Sequence, residues 1–248
     1  MDLNRVIVDE INSFVEKASE KVKYRKPLVG FAYAKNPEFK KLKDIIMQNH
    51  LLPSDLLPDA ISVISFFLPF TESLVTINRN HGYISKEWAE AYVETNKLID
   101  EIIEHMKNVL KNYGIKCSSN PARMPFDKEI LMHKWSQRHV AKICGLGNFG
   151  INNMLITAYG CAGRYGSFVI DVPLNYNNPI TEEYCLYKRN GSCKACIKAC
   201  PIEALTIEGF DRHKCYAWVN EVNNYYSDLD ECDVCGKCIT VPCAFKIS

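Results

Sequence analysis

Cys193-Lys-Ala-Cys196-Ile-Lys-Ala-Cys200-Pro201 is the stretch that decides how this chain is read. A two-residue gap lets one turn aim two thiolates at a single iron–sulfur cubane, whereas the three-residue gap starts a helix and carries the last sulfur toward another. Proline suits the first turn of that helix, because the N–H it lacks would have had no partner there. Downstream, Cys232-Asp-Val-Cys235-Gly-Lys-Cys238-Ile-Thr-Val-Pro-Cys243 repeats the crowding, and Cys215 stands alone between the groups in FDRHKCYAW. Cys193, Cys196, Cys200, Cys215, Cys232, Cys235, Cys238 and Cys243 make the eight thiolates that two 4Fe–4S clusters need. Their interleaved order is how two-cluster ferredoxins staple a short chain.

Zinc is the competing metal, since cysteines two residues apart also suit a tetrahedral site. The Cys-Pro ending after a three-residue gap favours clusters. Disulfides fit poorly in a chain of 248 residues that opens with MDLNRVIVDE, which has neither a basic n-region nor an apolar h-region. Cys117, Cys144 and Cys161 read as small buried hydrophobes. Cys185 stays open between ligand and core.

Nine of the 12 cysteines fall between Cys185 and Cys243, so a module boundary is expected near Asn177 to Glu183. Residues 1–178 would form an α/β domain and residues 179–248 a loop-rich cluster module. Hydrophobic residues make up 47% of the chain, ample for a core, and 30 Lys and Arg against 29 Asp and Glu leave a net charge of +1. That balance gives no whole-molecule field for gathering nucleic acid or anionic membrane. No stretch approaches the roughly 20 apolar residues of a bilayer span, so the expected setting is the cytoplasm.

In the first segment, Leu3, Ile7, Ile11, Phe14, Ala18 and Val22 recur at steps of three and four, which predicts an opening amphipathic helix. Leu28 to Tyr33 reads as a strand, Glu38 to Asn49 as a helix, and LLPSDLLPD as a turn-rich link. AISVISFFL is a continuous apolar run, expected of a strand buried on both faces. Trp88, Tyr92, Thr95, Ile99, Ile102, Met106 and Leu110 form the longest helical stripe, with Gly114 at its end. Ile115 to Ser118 suggests a short strand, Glu129 to Ile143 a helix, and Ser167 to Val172 a strand that ends at Pro173. The alternation predicts an α/β sheet layered with helices.

Gly145-Leu-Gly147-Asn-Phe-Gly150 matches G-x-G-x-x-G, the dinucleotide fingerprint, but that motif should follow a strand and open a helix. Here the helical pattern SQRHVAKIC comes before it. A glycine turn from helix to strand is the simpler reading. Yet Gly145, Gly147, Gly150, Gly160, Gly163 and Gly166 fall so close together that backbone lying against a large flat ligand is also expected.

WSQRHVAKICGLGNFGINNMLITAYGCAGRYGSFVIDVPL, followed by GSCKACIKACP, FDRHKC and the last cysteine group, resembles the core of the epoxyqueuosine reductase and reductive dehalogenase superfamily. LLPDAISVISFFLPF resembles that superfamily's earlier strand. The resemblance spans about residues 25–248. It implies a nitroreductase-like α/β (α+β) domain that binds cobalamin, fused to a ferredoxin-like module whose two clusters feed single electrons to cobalt, in an anaerobe. It further implies corrinoid contacts from Gly145, Leu146, Gly147, Gly150, Asn152, Tyr159, Gly160, Arg164 and Tyr165, with Asp127 in MPFDKE as the proton donor and Glu129 as second choice. A low-potential ferredoxin or flavodoxin would supply electrons, the substrate would be small, and nucleic acid and membrane would not be partners.

By the same resemblance, Cys200, Cys215, Cys232 and Cys235 would hold one cluster, while Cys193 and Cys196 begin the other. The chain departs from the pattern at Asn190, where the superfamily has a cysteine, and in the final group, which reads x2-Cys238-x4-Cys243. Cys238 and Cys243 together are expected to replace the missing ligand, with Cys185 as competitor. Five residues follow Cys243, too few for the extension that helps such reductases hold tRNA, and no twin-arginine export signal is present. A corrinoid-free electron carrier and a zinc-stabilised binding module are the alternatives.

Overall fold

A computed structural model describes residues 2–18, 22–123 and 126–246. The opening helix α1 (Leu3–Ala18) leads into β1 (Leu28–Tyr33), α2 (Glu38–Ile45), the single turn α3 (Pro53–Leu56) and β2 (Ser62–Pro69). Next come α4 (Glu72–Asn80), the long α5 (Lys86–Lys111), β3 (Phe126–Asp127), β4 (Met132–His133), α6 (Gln137–Ile143), β5 (Gly147–Phe149), β6 (Leu155–Thr157) and β7 (Gly163–Ile170). The cysteine-rich part holds α7 (Leu186–Asn190), α8 (Ala195–Lys198), α9 (Arg212–Tyr225) and 3-10 turns at Lys237–Ile239 and Pro242–Ala244.

The main sheet runs β1-β2-β7 and is antiparallel throughout, with Phe31 opposite Ile64 and Val63 opposite Val169. All eight residues of β2 are buried, because both faces of this central strand are covered. Side chains alternate across a strand. Ile64, Phe66 and Leu68 therefore join Ile7, Ile11 and Val15 of α1 and Ile99, Ile102, Met106 and Leu110 of α5. Val63 points the other way, onto Phe39, Trp135 and Val140, and Phe67 onto Ala141, Leu146 and Tyr165. The apolar run is thus a strand sandwiched between helical layers, as its composition predicts. Ser85 caps α5 by accepting the amide of Trp88 at 3.3 Å, and the chain turns off at Gly114 with φ +71°.

Several expectations change. The helix predicted over 129–143 starts only at Gln137. Before it, β3 and β4 form a small hairpin, with Phe126 opposite His133. The reason is local: Asp127 Oδ1 accepts the amides of Glu129 at 3.0 Å and Ile130 at 3.1 Å, an Asx turn that competes with the helical bonds. Leu131 then sits at φ +54°. Ile115 to Ser118 makes only one bridge, Cys117 to Ile170, and not a strand. α2 ends at Ile45, and β7 begins at Gly163, four residues before the predicted start.

The expected module boundary runs through a shared core. Phe70, Trp88, Cys161 and Ala162 of the first segment lie in one apolar cluster with Val222, Cys232, Ile239 and Ala244 of the second. Among the described residues no helix is long and apolar enough to cross a membrane.

Candidate iron–sulfur site

The cysteine loops are pinned to the α/β core mainly through backbone. Cys161 and Ala162 donate their amides to the carbonyls of Cys243 at 2.9 Å and Ala244 at 3.1 Å, extending the approach to β7. Asn78 Nδ2 reaches the carbonyl of Cys235 at 3.0 Å, and Asn152 Nδ2 that of Cys238 at 2.9 Å. Arg79 donates to the Thr240 carbonyl, and Arg25 to those of Phe245 at 3.0 Å and Tyr159 at 2.7 Å. Buried Lys237 gives its ammonium to the carbonyls of Asn78 and His81. Loops so short on regular structure hold their shape because the folded core answers their carbonyls.

Charge neighbours sort the thiols into two sets. Cys215, on α9, faces Cys235 and Cys200, and Cys238 faces Cys235, Cys215, Cys196 and Cys200, so Cys200, Cys215, Cys235 and Cys238 form one set, with Cys238 on its border with Cys196. Cys196 faces Cys243, Cys185 and Cys193, which form the other. Burial pushes Cys196 and Cys215 up to about 11 and raises Cys238 as well. Such thiols ionise only when metal takes the proton's place. Cys232 does not face Cys200 or Cys215 as expected. It is fully buried, its sulfur lies 4.0 Å from the Tyr226 carbonyl, and its charge neighbours are Asp233 and Asp228.

The donor set fits an iron–sulfur cluster on a second ground. The buried indole N–H groups of Trp88 and Trp218 find no oxygen or nitrogen partner. Both are at the Cys235-Gly236 turn: Trp218 is directed at the Cys235 sulfur, and the Trp88 ring lies where a Cβ on Gly236 would stand. Thiolate and sulfide are acceptors that such donors could meet, and hydrogen bonds to sulfur help set cluster potentials. Arg138 and Lys237 add positive charge beside Cys238 and Cys235. Among the described residues, no three His, Cys, Asp or Glu stand close enough together to hold a single metal ion.

The residues expected to touch a corrinoid are engaged elsewhere. A Cβ on Gly145 would meet Asn178, one on Gly147 the Ile156 carbonyl, one on Gly150 the Asn152 side chain and one on Gly160 the Ala244 backbone. Leu146 is core, and Tyr165 is buried with its hydroxyl on the Leu155 carbonyl at 2.8 Å. Arg164 bonds Asn96 at 2.6 Å and stacks over Tyr92, while Asn152 holds Cys238 and Tyr159 lies under Arg25. These glycines let the protein pack against itself, and Tyr165, Arg164 and Asn152 already have hydrogen-bond partners within the chain. Cavities of about 530 and 300 Å3 are lined by other side chains. The fingerprint context also fails for a dinucleotide: α6 ends at Gly145, φ +74°, with Leu146 bonding back to Ala141, and β5 follows.

Asp127 sits in the β3–β4 hairpin, which rests on the cluster segment. Phe126 packs on Tyr216 at 5.9 Å between ring centres, and Arg212 donates to the Ile130 carbonyl at 3.2 Å. Tyr216 is the sequence neighbour of Cys215, so the hairpin that carries Asp127 packs against α9, while the Asp127 carboxylate itself holds the turn. Glu129 is fully outside, exposed on the turn.

Nearby His139 couples the site to acid. Burial first, then the charge of Arg138, pushes its pKa down from 6.5 to about 4, while its Nδ1 meets Ser136 Oγ at 2.8 Å. The unfolded chain therefore binds the proton that the folded chain refuses, and stability present above pH 6.5 is lost as pH falls toward 4. After allowance for partial exposure this amounts to about 2 kcal/mol. His139→Gln is expected to flatten the difference in urea midpoint between neutral and acidic buffer relative to the unsubstituted protein; an unchanged slope would show that other groups carry it.

The sheet with its helical layers and the crowded thiols describe a mixed α/β protein with a cysteine-rich C-terminal part. No protein-family model matches the chain. An epoxyqueuosine reductase from Cyclobacterium marinum is 29% identical over 180 residues, covering 70% of this chain and 54% of that protein. The chain spans about half the length of the curated relatives it matches. Among solved structures, epoxyqueuosine reductase from Bacillus subtilis, captured with a catalytic aspartate loop swung out of its active site, superposes with a TM-score of 0.60 at 19% identity, covering 96% of this chain and 66% of that one. A catabolic reductive dehalogenase gives 0.59 at 14% identity over 89% of this chain and 30% of its own. An epoxyqueuosine reductase bound to a modified tRNA stem loop gives 0.51 at 18% identity, over 88% and 58%. The chain is thus similar in sequence to epoxyqueuosine reductases and in fold to these enzymes and to reductive dehalogenases.

Proposed function

We propose that this chain is a cytoplasmic iron–sulfur oxidoreductase that moves single electrons through two 4Fe–4S clusters to drive a reduction. The observation that carries this reading is the gathering of eight cysteines into two adjoining sets, with the buried indole N–H groups of Trp88 and Trp218 at the Cys235-Gly236 turn. Residues 1–178 act as a nitroreductase-like α/β core, and residues 179–248 as the ferredoxin-like part that packs into it. A low-potential ferredoxin or flavodoxin supplies the electrons.

The chain's own residues then have separate tasks. Arg138 and Lys237 offset the negative charge that a reduced cluster acquires. Asp127, on the hairpin that packs against α9, is the proton donor for a substrate that needs a proton with its electron. The relative from B. subtilis has a mobile catalytic aspartate loop, which supports Asp127 over the exposed Glu129 for that role. A corrinoid, when bound, would supply a strongly reducing cobalt centre; its contacts would have to come from residues other than the nine engaged ones. That same engagement favours a second reading, a cluster-bearing electron carrier without corrinoid. The expectation against nucleic acid rested on net charge and on the short stretch after Cys243, and the relative bound to a tRNA stem loop reopens it.

The test is an anaerobic visible spectrum of the protein reconstituted with iron and sulfide, repeated after hydroxocobalamin and desalting, with iron and cobalt measured. About eight irons per chain are expected. Retained cobalt supports the corrinoid-dependent reduction, and its loss supports the carrier. Colourless protein with bound zinc defeats both.

A further inference from the structure

The superfamily's first cluster cysteine is missing at Asn190, and the chain contains nine cysteines from Cys185 onward for eight ligand places. We infer that Cys185 supplies the fourth thiolate to the cluster held by Cys193, Cys196 and Cys243, and that Cys232 serves neither cluster. This rests on the two-cluster reading above and fixes how its ligands divide.

The local fold explains how a cysteine eight residues before Cys193 returns to it. Cys185 is the N-cap of α7, with its amide on Glu183 Oε1 at 2.8 Å and its carbonyl taken by Arg189 at 2.9 Å. α7 lasts barely more than a turn. Gly191 then adopts φ +74° and bonds back to Tyr187 at 2.8 Å, reversing the chain. The Lys194 ammonium consequently lies over the Tyr187 ring, 5.9 Å from its centre, so the Cys193-Lys194 turn folds onto the first turn of α7. Cys185 is buried beside the same apolar cluster against which Cys243 packs, and Cys196 has Cys243, Cys185 and Cys193 as charge neighbours. A ligand displaced by five residues in sequence is restored in space by a helical turn and a reversal.

The first rival is Cys238, which has Cys196 among its charge neighbours but lies against Cys235, Cys215 and Cys200 of the other set as well. The second is Cys161, whose sulfur is 3.7 Å from that of Cys243. That spacing is a thiol-to-thiolate hydrogen bond, tighter than two thiolates on different irons of one cubane can stand. Cys161 is also fully buried in the core cluster, and its backbone is already tied to the Cys243 carbonyl. It is a donor to a ligand and not a ligand itself. Cys232 is excluded by its surroundings: its amide takes Asn223 Oδ1 at 2.8 Å and its sulfur faces the Tyr226 carbonyl, away from both sets.

The full chain is reconstituted anaerobically and iron, sulfide and the electron paramagnetic resonance spectrum are measured for Cys185→Ala, Cys185→Ser, Cys161→Ala and Cys232→Ala. Both Cys185 variants are expected to fall from about eight irons to between about seven and about four, with a three-iron signal appearing on oxidation where one iron is lost. Cys161→Ala and Cys232→Ala are expected to keep about eight. Full iron and an unchanged spectrum in both Cys185 variants, or loss of iron in Cys232→Ala, overturns the assignment. An unsubstituted protein that takes up no iron defeats the proposed function instead, so the two failures are distinct.

Discussion

Cys215→Ala is expected to lose about four of about eight irons and roughly half of the brown absorbance, leaving the other cluster spectroscopically intact. Cys215 is held by a real helix: Asp211 caps α9 by accepting the amide of Lys214 at 2.9 Å, and Cys215 donates its own amide to the Asp211 carbonyl at 3.1 Å. Its thiol is thereby fixed toward Cys200 and Cys235 before any metal arrives. Removing it leaves three thiolates whose protonated forms burial favours, and the iron they would bind has to overcome that preference alone. The comparison with Cys193→Ala makes the experiment decisive. If the two sets are independent, each single substitution removes one cluster and the pair removes both. If Cys215→Ala cleared all the iron, the two sites would assemble as one unit and the division into sets would be wrong.

The cysteine chemistry was legible because it is written in local spacing. Cys193 and Cys196 share a turn and Cys200 leaves it; Cys193 is a charge neighbour of Cys196, and Cys200 of Cys215, while Cys238 borders both. The second group was harder. Both Cys232-x2-Cys235 and Cys235-x2-Cys238 satisfy the same two-residue gap, and only packing distinguishes them: Cys232 sinks among Tyr226 and the core while Cys238 turns to the other thiols. The β2 strand was readable because eight buried positions in a row leave no polar face to mislead. The 129–143 segment was not, because its apolar periodicity is real but Asp127 captures two amides and starts a hairpin first. The dense glycines were visible as a demand for close approach. What approaches Gly163 and Gly160, the chain's own backbone from β2 and the last cysteine loop, lies far off in sequence.

Gly160→Ala turns that last point into a large expected effect. Gly160 is at φ +81°, where a Cβ costs roughly 1–2 kcal/mol. The added methyl would also overlap the carbonyl carbon, the oxygen of Ala244 and the amide of Phe245, which are backbone atoms and cannot swing aside as a side-chain tip could. Overpacking of that kind typically costs about 1–3 kcal/mol more. Together they give about 2–5 kcal/mol of destabilisation, concentrated at one seam. The seam is the pair of amide bonds from Cys161 to Cys243 and from Ala162 to Ala244, so relief of the clash moves Cys243 away from Cys193 and Cys196. The variant should therefore melt earlier and lose iron preferentially from the Cys196 set, keeping the Cys215 set, as shown by iron analysis and the spectrum of the remaining cluster. Gly82→Ala is the control, since a Cβ there meets nothing within 4 Å, and it should change neither. Equal stability and full iron in Gly160→Ala would mean that the C-terminal loop can shift without disturbing its thiolate, and that the cluster, not the seam with β7, positions Cys243.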